Sequence, residues 1–382
     1  MKKTLLAGLA LAMMGASVVS AADIKLSSNF GGDDDNIWSD DFIGWKRKTN
    51  KDGTRSDDFA TSGKSAANVS ERLQLDVNSE KFDGRLRLEF KNIALDGKGA
   101  NVRFRGYGRF TPIKALRFAA GNEFFTKYGV TGAYMAAADD WSKIGCLAKN
   151  GLAVSTSFGL DGLTVAANLG GSSLFDDQQK LDLNFGFDYK IADTVAIGGT
   201  AKNVTADERS FGAFFALTSV EDLTFNAGYI YNANDDFLPN GTKNALQASV
   251  AYNFSDIGLS LAADVMFGLS NEYVSGDETK EYKNSDGDAI IPFYTRVLVG
   301  YDVTENVNLS ADLKLTTMLG QKNDATETVL YPKVEYKLPE NFGTLVAGVR
   351  FTFQNYEDKG GLQKFSVPLC WKWTPVKVST NK

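Results

Sequence analysis

Histidine is absent from all 382 residues of this chain. That removes the general base of the familiar serine and cysteine hydrolase arrangements and the commonest transition-metal ligand. Cysteine is almost absent: Cys146 and Cys370 stand alone, and the pattern below puts one in a loop and the other on the final strand, so no disulfide is expected. Proline is scarce, with seven residues. After residue 22 no run of ~18 apolar residues occurs, which excludes a membrane protein built of helices. A basic excess is missing as well, the formal charge being −6. Without Lys2 and Lys3 the chain holds 39 basic and 47 acidic residues, a net −8, which disfavours nucleic acid as a partner. Asp33–Asp34–Asp35 and Ser285–Asp286–Gly287–Asp288 lack the ordered spacing and closing Glu of a calcium loop. With neither a nucleophile nor a paired-carboxylate site, the chain reads as no enzyme, and no metal or cofactor is implied.

What is present begins with residues 1–22: a basic start, an apolar run from Leu5 to Val19, and small residues at Ser20–Ala21–Ala22. This is a Sec-type signal with a cleavage site of the A-x-A kind, and it stands outside the fold. Residues 23–382 form one domain, since no linker-like shift of composition divides them.

From Asn68 to Thr374 the chain repeats one unit, about ten residues of apolar/polar alternation, a tight turn, and a second such segment. In Gly84–Ile93, Leu86, Leu88 and Phe90 share one face, and Arg85, Arg87, Glu89 and Lys91 the other. Asn306–Thr316 sets Val307, Leu309, Ala311, Leu313 and Leu315 against Asn308, Ser310, Asp312 and Lys314. Side chains alternate across a strand, so each segment has one apolar and one wet surface. Strands of ~9–11 residues with that pattern cross a bilayer as staves of a closed barrel. The expected fold class is all-β, a transmembrane antiparallel up-and-down β-barrel in the bacterial outer membrane, of 18 strands with 16 acceptable.

A first strand near Asp23–Phe30, eight hairpins and a last strand near 362–374 make up that count. The tight turns fall at Thr111–Pro112, Asp161–Gly162, Ala192–Asp193, Glu221–Asp222, Ser255–Asp256, Thr304–Glu305–Asn306 and Pro339–Glu340–Asn341. Near those turns Phe110, Phe158, Tyr189, Phe215, Phe254, Tyr301, Tyr336 and Trp373 share the apolar parity, as in an interfacial aromatic girdle. Pro332 and Pro368 fall inside strands and imply bulges or shifted ends. The stretch 31–67 reads as an irregular acidic loop, and the short first strand leaves the closing seam open.

Seven of the twelve arginines, Arg72, Arg85, Arg87, Arg103, Arg105, Arg109 and Arg117, lie on the polar parity of their strands, with Glu89 and Glu123 on the same face. Arginine facing lipid at mid-membrane costs ~2–4 kcal/mol each, so all seven are expected to point inward. Two readings of the stripe stay open: a basic wall that biases a channel toward anions, or internal ion pairs that stiffen or plug the barrel.

The architecture resembles that of bacterial outer-membrane porins across the whole mature chain. The resemblance implies a passive channel for small hydrophilic solutes, embedded in outer-membrane lipid, with assembly of several copies left open. It also draws attention to the long connection 126–150, since in porins a long third loop folds inward. Here that segment holds Tyr134–Met135–Ala136–Ala137–Ala138–Asp139–Asp140–Trp141, which would place Asp139 and Asp140 at a constriction. The same residues also suit an exposed loop packed on its neighbours. The chain departs from many such families in ending on a polar tail, Val378–Ser379–Thr380–Asn381–Lys382, after Trp371 and Trp373. The competing function is a non-conducting, surface-exposed barrel serving as an adhesin or structural protein.

Overall fold

The computed structural model describes residues 23–31, 43–49, 55–60, 69–93, 101–121, 151–170, 183–192, 194–205, 209–217, 220–233, 242–275, 278–283, 286–320, 326–355 and 361–378. Its first strands are β1 (Asp23–Gly31), β2 (Ile43–Thr49), β3 (Arg55–Ala60), β4 (Val69–Asn78), β5 (Phe82–Ile93), β6 (Asn101–Ile113) and β7 (Leu116–Gly121). There follow β8 (Gly151–Thr156), β9 (Leu163–Leu169), β10 (Leu183–Ile191), β11 (Val195–Lys202), β12 (Ser210–Leu217), β13 (Leu223–Tyr231), β14 (Asn244–Phe254) and β15 (Leu259–Gly268). The remainder are β16 (Glu272–Ser275), β17 (Glu278–Glu281), β18 (Ile291–Thr304), β19 (Val307–Leu319), β20 (Thr326–Lys337), β21 (Thr344–Gly348), β22 (Arg350–Asn355), β23 (Gly361–Val367) and β24 (Leu369–Val378).

Every pairing is antiparallel, and each barrel strand bonds its neighbours in sequence until β24 returns to β1. The ring is a closed barrel of 18 strands, in which β21 with β22, and β23 with β24, each act as one stave. The seam, open on sequence grounds, is closed by pairs running from Ile24–Val378 to Gly31–Cys370. Closure leaves no sheet edge, which is the condition for a β-structure in lipid.

One face of this sheet is apolar and exposed. Forty large apolar side chains stand open among the described residues, including Phe104, Phe187, Phe211, Leu246 and Leu313. A water-facing surface could not tolerate so large a patch, so hydrocarbon is the medium that covers it. Near the short turns the girdle stands at Phe110, Tyr189, Phe215, Phe254, Tyr301 and Tyr336, all exposed. Trp371 and Trp373 stack with centroids 5.5 Å apart, and the Trp371 indole donates to the Phe342 carbonyl at 2.8 Å. Phe158 departs from the expectation: it sits in the β8–β9 turn at φ 49°, beyond the strand end.

Three further expectations change. The hairpin expected to turn at Thr111–Pro112 turns at Lys114–Ala115, because β6 runs on through those residues and a register shift takes up the proline. Pro332 and Pro368 cause no bulge: the registers of β20 with β21 and β22 share one alignment on either side of Val349. Each proline keeps its carbonyl bond, Val349 N–H to Pro332 O at 3.0 Å and Gly348 N–H to Pro368 O at 3.2 Å, and forfeits only the donor it lacks. Within 31–67, β2 and β3 form a hairpin that continues the β1–β4 pair outward and docks on β23 from Ile43–Val367 to Lys46–Lys364. Its pairs run from Gly44–Ala60 to Thr49–Arg55, through a sequence with no apolar alternation to read. Cys370 is buried, while Cys146 lies outside the described residues.

Candidate functional site

The arginine-rich wall is built by four adjacent strands, β4 to β7. Outward Leu73, Leu75, Leu86, Leu88, Phe104 and Phe118 fix the parity, so the intervening residues face inward. Register then sets them in rows. Arg72, Glu89 and Arg103 are directly opposed across β4, β5 and β6, as are Gln74, Arg87 and Arg105 in the next row. Below them come Asp76, Arg85 and Tyr107, then Asn78, Asp83, Arg109 and Ala119. Close approach of these strands depends on Gly106, whose absent Cβ would stand 2.9 Å from Leu86 Cδ2 and 3.0 Å from the Arg85 carbonyl.

All seven arginines of the sequence pattern occupy this inner wall. Glu89 lies among three of them, with its side chain only 3% exposed. Arg72 Nε approaches Glu89 Oε1 at 3.2 Å, Arg105 Nε approaches Oε2 at 3.3 Å, and Arg87 Nη1 lies 3.8 Å from Oε1. Arg87 also donates to Gln74 Oε1 through Nε at 2.9 Å and Nη2 at 2.7 Å. Gln74 Nε2 donates in turn to Asp76 Oδ2 at 2.7 Å, and Arg85 Nε donates to Asp76 Oδ1 at 2.6 Å. Arg109 pairs with Asp83 at 2.5 Å and lies over the Tyr107 ring, 5.0 Å from its centroid. Arg117 donates to Thr111 Oγ1 at 3.2 Å. Arg103 and Arg117 are the exposed members of the set.

Among the described side chains, seven guanidiniums share the wall with Asp76, Asp83 and Glu89, which leaves four positive charges in excess. Asp76 and Asp83 were missed as partners on sequence grounds. The signal was available, because a hairpin turning at Ser79–Lys81 brings Asp76 opposite Arg85. Glu123, Asp139 and Asp140, and the whole 126–150 connection, lie outside the described residues.

Elsewhere the inner face is neutral or balanced. Asn184 Nδ2 donates to Asn168 Oδ1 at 3.0 Å, and Asn226 Nδ2 to Ser249 Oγ at 3.3 Å, all four residues being buried. Toward β18 and β19, Arg296 grips Asp312 with two donors, Nε reaching Oδ1 at 2.7 Å. Lys333 pairs with Glu335 at 2.9 Å, and Arg350 stacks over Tyr331 at 5.5 Å. Asp264 stands opposite Arg296, and Arg296 opposite Lys314, so acidic and basic groups are mixed here and form no acidic wall among the described residues. No group of metal-ligating side chains occurs among the described residues.

No protein-family model matches the chain, and no curated protein matches its sequence. Solved structures do match. OccK2 (OpdF) of Pseudomonas aeruginosa, solved in complex with glucuronate, aligns over 92% of this chain and 98% of its own at 11% identity, with a TM-score of 0.52. OccK11 (OpdR) of the same organism aligns over 93% and 96% at 9% identity, with a TM-score of 0.51. A mutant of the Rhodobacter blastica porin covers 92% and 100% at 12% identity, with a TM-score of 0.44. In architecture this chain is similar to the bacterial porins, a closed 18-strand barrel with an apolar outer face and a charged inner one.

Proposed function

We propose that the barrel is a water-filled channel of the bacterial outer membrane through which small hydrophilic solutes diffuse passively, with a bias toward anions. The observation that carries this reading is the excess of four positive charges among the described side chains on the inner wall of β4–β7. Fixed charge of one sign inside a low-dielectric wall raises the local concentration of the opposite ion. Arg72, Arg85, Arg87, Arg103, Arg105, Arg109 and Arg117 are the proposed lining, with Glu89, Glu123, Asp139 and Asp140 as its acidic members. OccK2, which shares the fold, was solved with glucuronate, and a carboxylate solute agrees with a basic wall. Residues 1–22 are proposed as the export signal, and residues 23–382 as the barrel domain. The structural neighbours are porins, channels rather than enzymes.

Planar-bilayer recording of the refolded protein tests this reading. Stepwise single-channel conductance is expected, with a zero-current potential in a salt gradient that favours anions, more strongly at low salt where screening is weak. Replacing Arg85, Arg87, Arg103 and Arg105 together with Gln should move that potential toward cation preference. If loop 126–150 folds inward, Asp139→Asn with Asp140→Asn should move it the other way. The competing, non-conducting barrel is favoured by the burial of inner-face Ile230, Asn226 and Met266 at 0% exposure. A correctly folded barrel that never conducts would decide for it.

A further inference from the structure

The seven wall arginines are not equivalent in their surroundings. Arg72, Arg87 and Arg105 converge on the buried carboxylate of Glu89, and Arg87 spends two further donors on Gln74. Arg85 and Arg109 each have a carboxylate of their own, Asp76 and Asp83. Arg103 differs. It stands directly opposite Glu89 in the β5–β6 register, yet its side chain is exposed and makes no hydrogen bond or ion pair among the described residues.

The Arg85–Asp76 and Arg109–Asp83 pairs act at a distance as dipoles, whose field falls off faster than that of a lone charge, while Glu89 cancels one of the three positive charges gathered on it. The donors of a paired guanidinium are also committed, whereas a free one offers five. Holding the cluster together is worthwhile only while Glu89 is present, since removal of a buried partner leaves the remaining charges to find water.

We infer that Glu89 is a positioning residue, which holds the guanidiniums of Arg72, Arg87 and Arg105 against the wall, and that Arg103 is the wall arginine that meets a passing anion directly. The inference rests on the channel reading and assigns roles within that same wall. Glu89 limits the basic stripe, and Arg103 is the arginine beside that cluster left for solutes; Arg117, farther along the wall, is also exposed but donates to Thr111 Oγ1.

Six proteins test this: the unaltered chain, Glu89→Gln, Arg103→Gln, Arg105→Gln, and the double variants of Glu89→Gln with each arginine change. Each is refolded whole, and its zero-current potential is read in a potassium chloride gradient. Glu89→Gln should raise the anion-to-cation permeability ratio about twofold, the low end for residues that share one ion-pair network. Arg103→Gln and Arg105→Gln remove the same charge, so any difference between them reports position. Arg103→Gln should give the larger fall in the unaltered background. Arg105→Gln should have a larger effect once Glu89 is Gln, whereas the effect of Arg103→Gln should not change. Equal shifts for the two arginines, with no coupling to Glu89, would overturn the inference while the channel reading stands. If Glu89→Gln fails to form a barrel, the two single arginine variants decide by themselves. An unaltered chain that folds without conducting overturns the channel reading, and this inference with it.

Discussion

At the scale of single residues, the inner face combines two kinds of ion pair whose energetic roles differ. The Glu89 cluster is partly open, with its arginine side chains 15–24% exposed, and water moderates its worth. The Arg296–Asp312 pair is drier, at 13% and 3% exposed, and both carboxylate oxygens accept from the guanidinium. Removing one partner of a buried pair strands the other. Asp312→Ala is therefore expected to destabilise the barrel by about 3–5 kcal/mol, whereas Arg296→Met with Asp312→Leu should cost far less. Urea unfolding of the folded protein in lipid, followed by tryptophan fluorescence, would measure both. A loss below about 1 kcal/mol for Asp312→Ala would place this pair with surface ion pairs instead. Of the charged groups, the arginines were legible in the sequence through their shared parity. Glu89 was legible on the same face, whereas Asp76 and Asp83 were not matched to their arginines, because pairing depends on the cross-strand register that the turn sets and that a strand's own alternation does not state.

At the scale of elements, hairpins joined by short turns were the most legible part of the fold. A two-residue period and a turn signal together fix a strand's face and its end, as at Gly162, where φ is +77° and a Cβ would lie 2.5 Å from the Lys190 carbonyl. Elements with no apolar alternation were not legible. The β2–β3 hairpin is one, and β16–β17 is another, its partners running from Glu272–Glu281 to Ser275–Glu278. This second hairpin is anchored by Tyr273 stacked on Tyr282, with centroids 4.0 Å apart, and by Lys243 paired with Glu272 at 3.3 Å. Burial, reinforced by Tyr273 beside it, pushes the Tyr282 phenol up to about 12. An acid whose folded pKa lies above its unfolded value stabilises the fold below the unfolded value, and that contribution is lost as pH rises through the folded one. The hairpin should therefore hold up to about pH 10 and loosen between about 10 and 12. Ultraviolet titration of the protein against Tyr282→Phe should isolate one tyrosine with that late midpoint. A difference spectrum centred near pH 10 would refute the anchoring role.

At the scale of the whole molecule, orientation in the membrane follows from which end carries the short turns. The turns at Ser79–Lys81, Lys114–Ala115 and Pro339–Asn341 lie at one end, and the seam brings Ile24 and Val378 together at that same end. Bacterial barrels keep short turns in the periplasm and long connections outside. The apolar outer band admits only the spanning placement, so a single assignment of one end determines every connection. Two sites on the proposed outer side are Asn50, between β2 and β3 in the chain, and Asp277, between β16 and β17; both lie outside the described residues. Asp161 and Pro339 belong to short turns. Protease sites inserted beside Asn50 or Asp277 should be cut on intact cells, and those beside Asp161 or Pro339 only after the outer membrane is opened. Each insertion falls between strands rather than within one, so the unheated protein should keep the anomalous gel migration of a closed barrel. Cutting at Asp161 on intact cells with Asn50 protected would invert the barrel. It would then set the arginine wall in the opposite orientation for solutes arriving from outside, while leaving the 18-strand ring and its registers as they are.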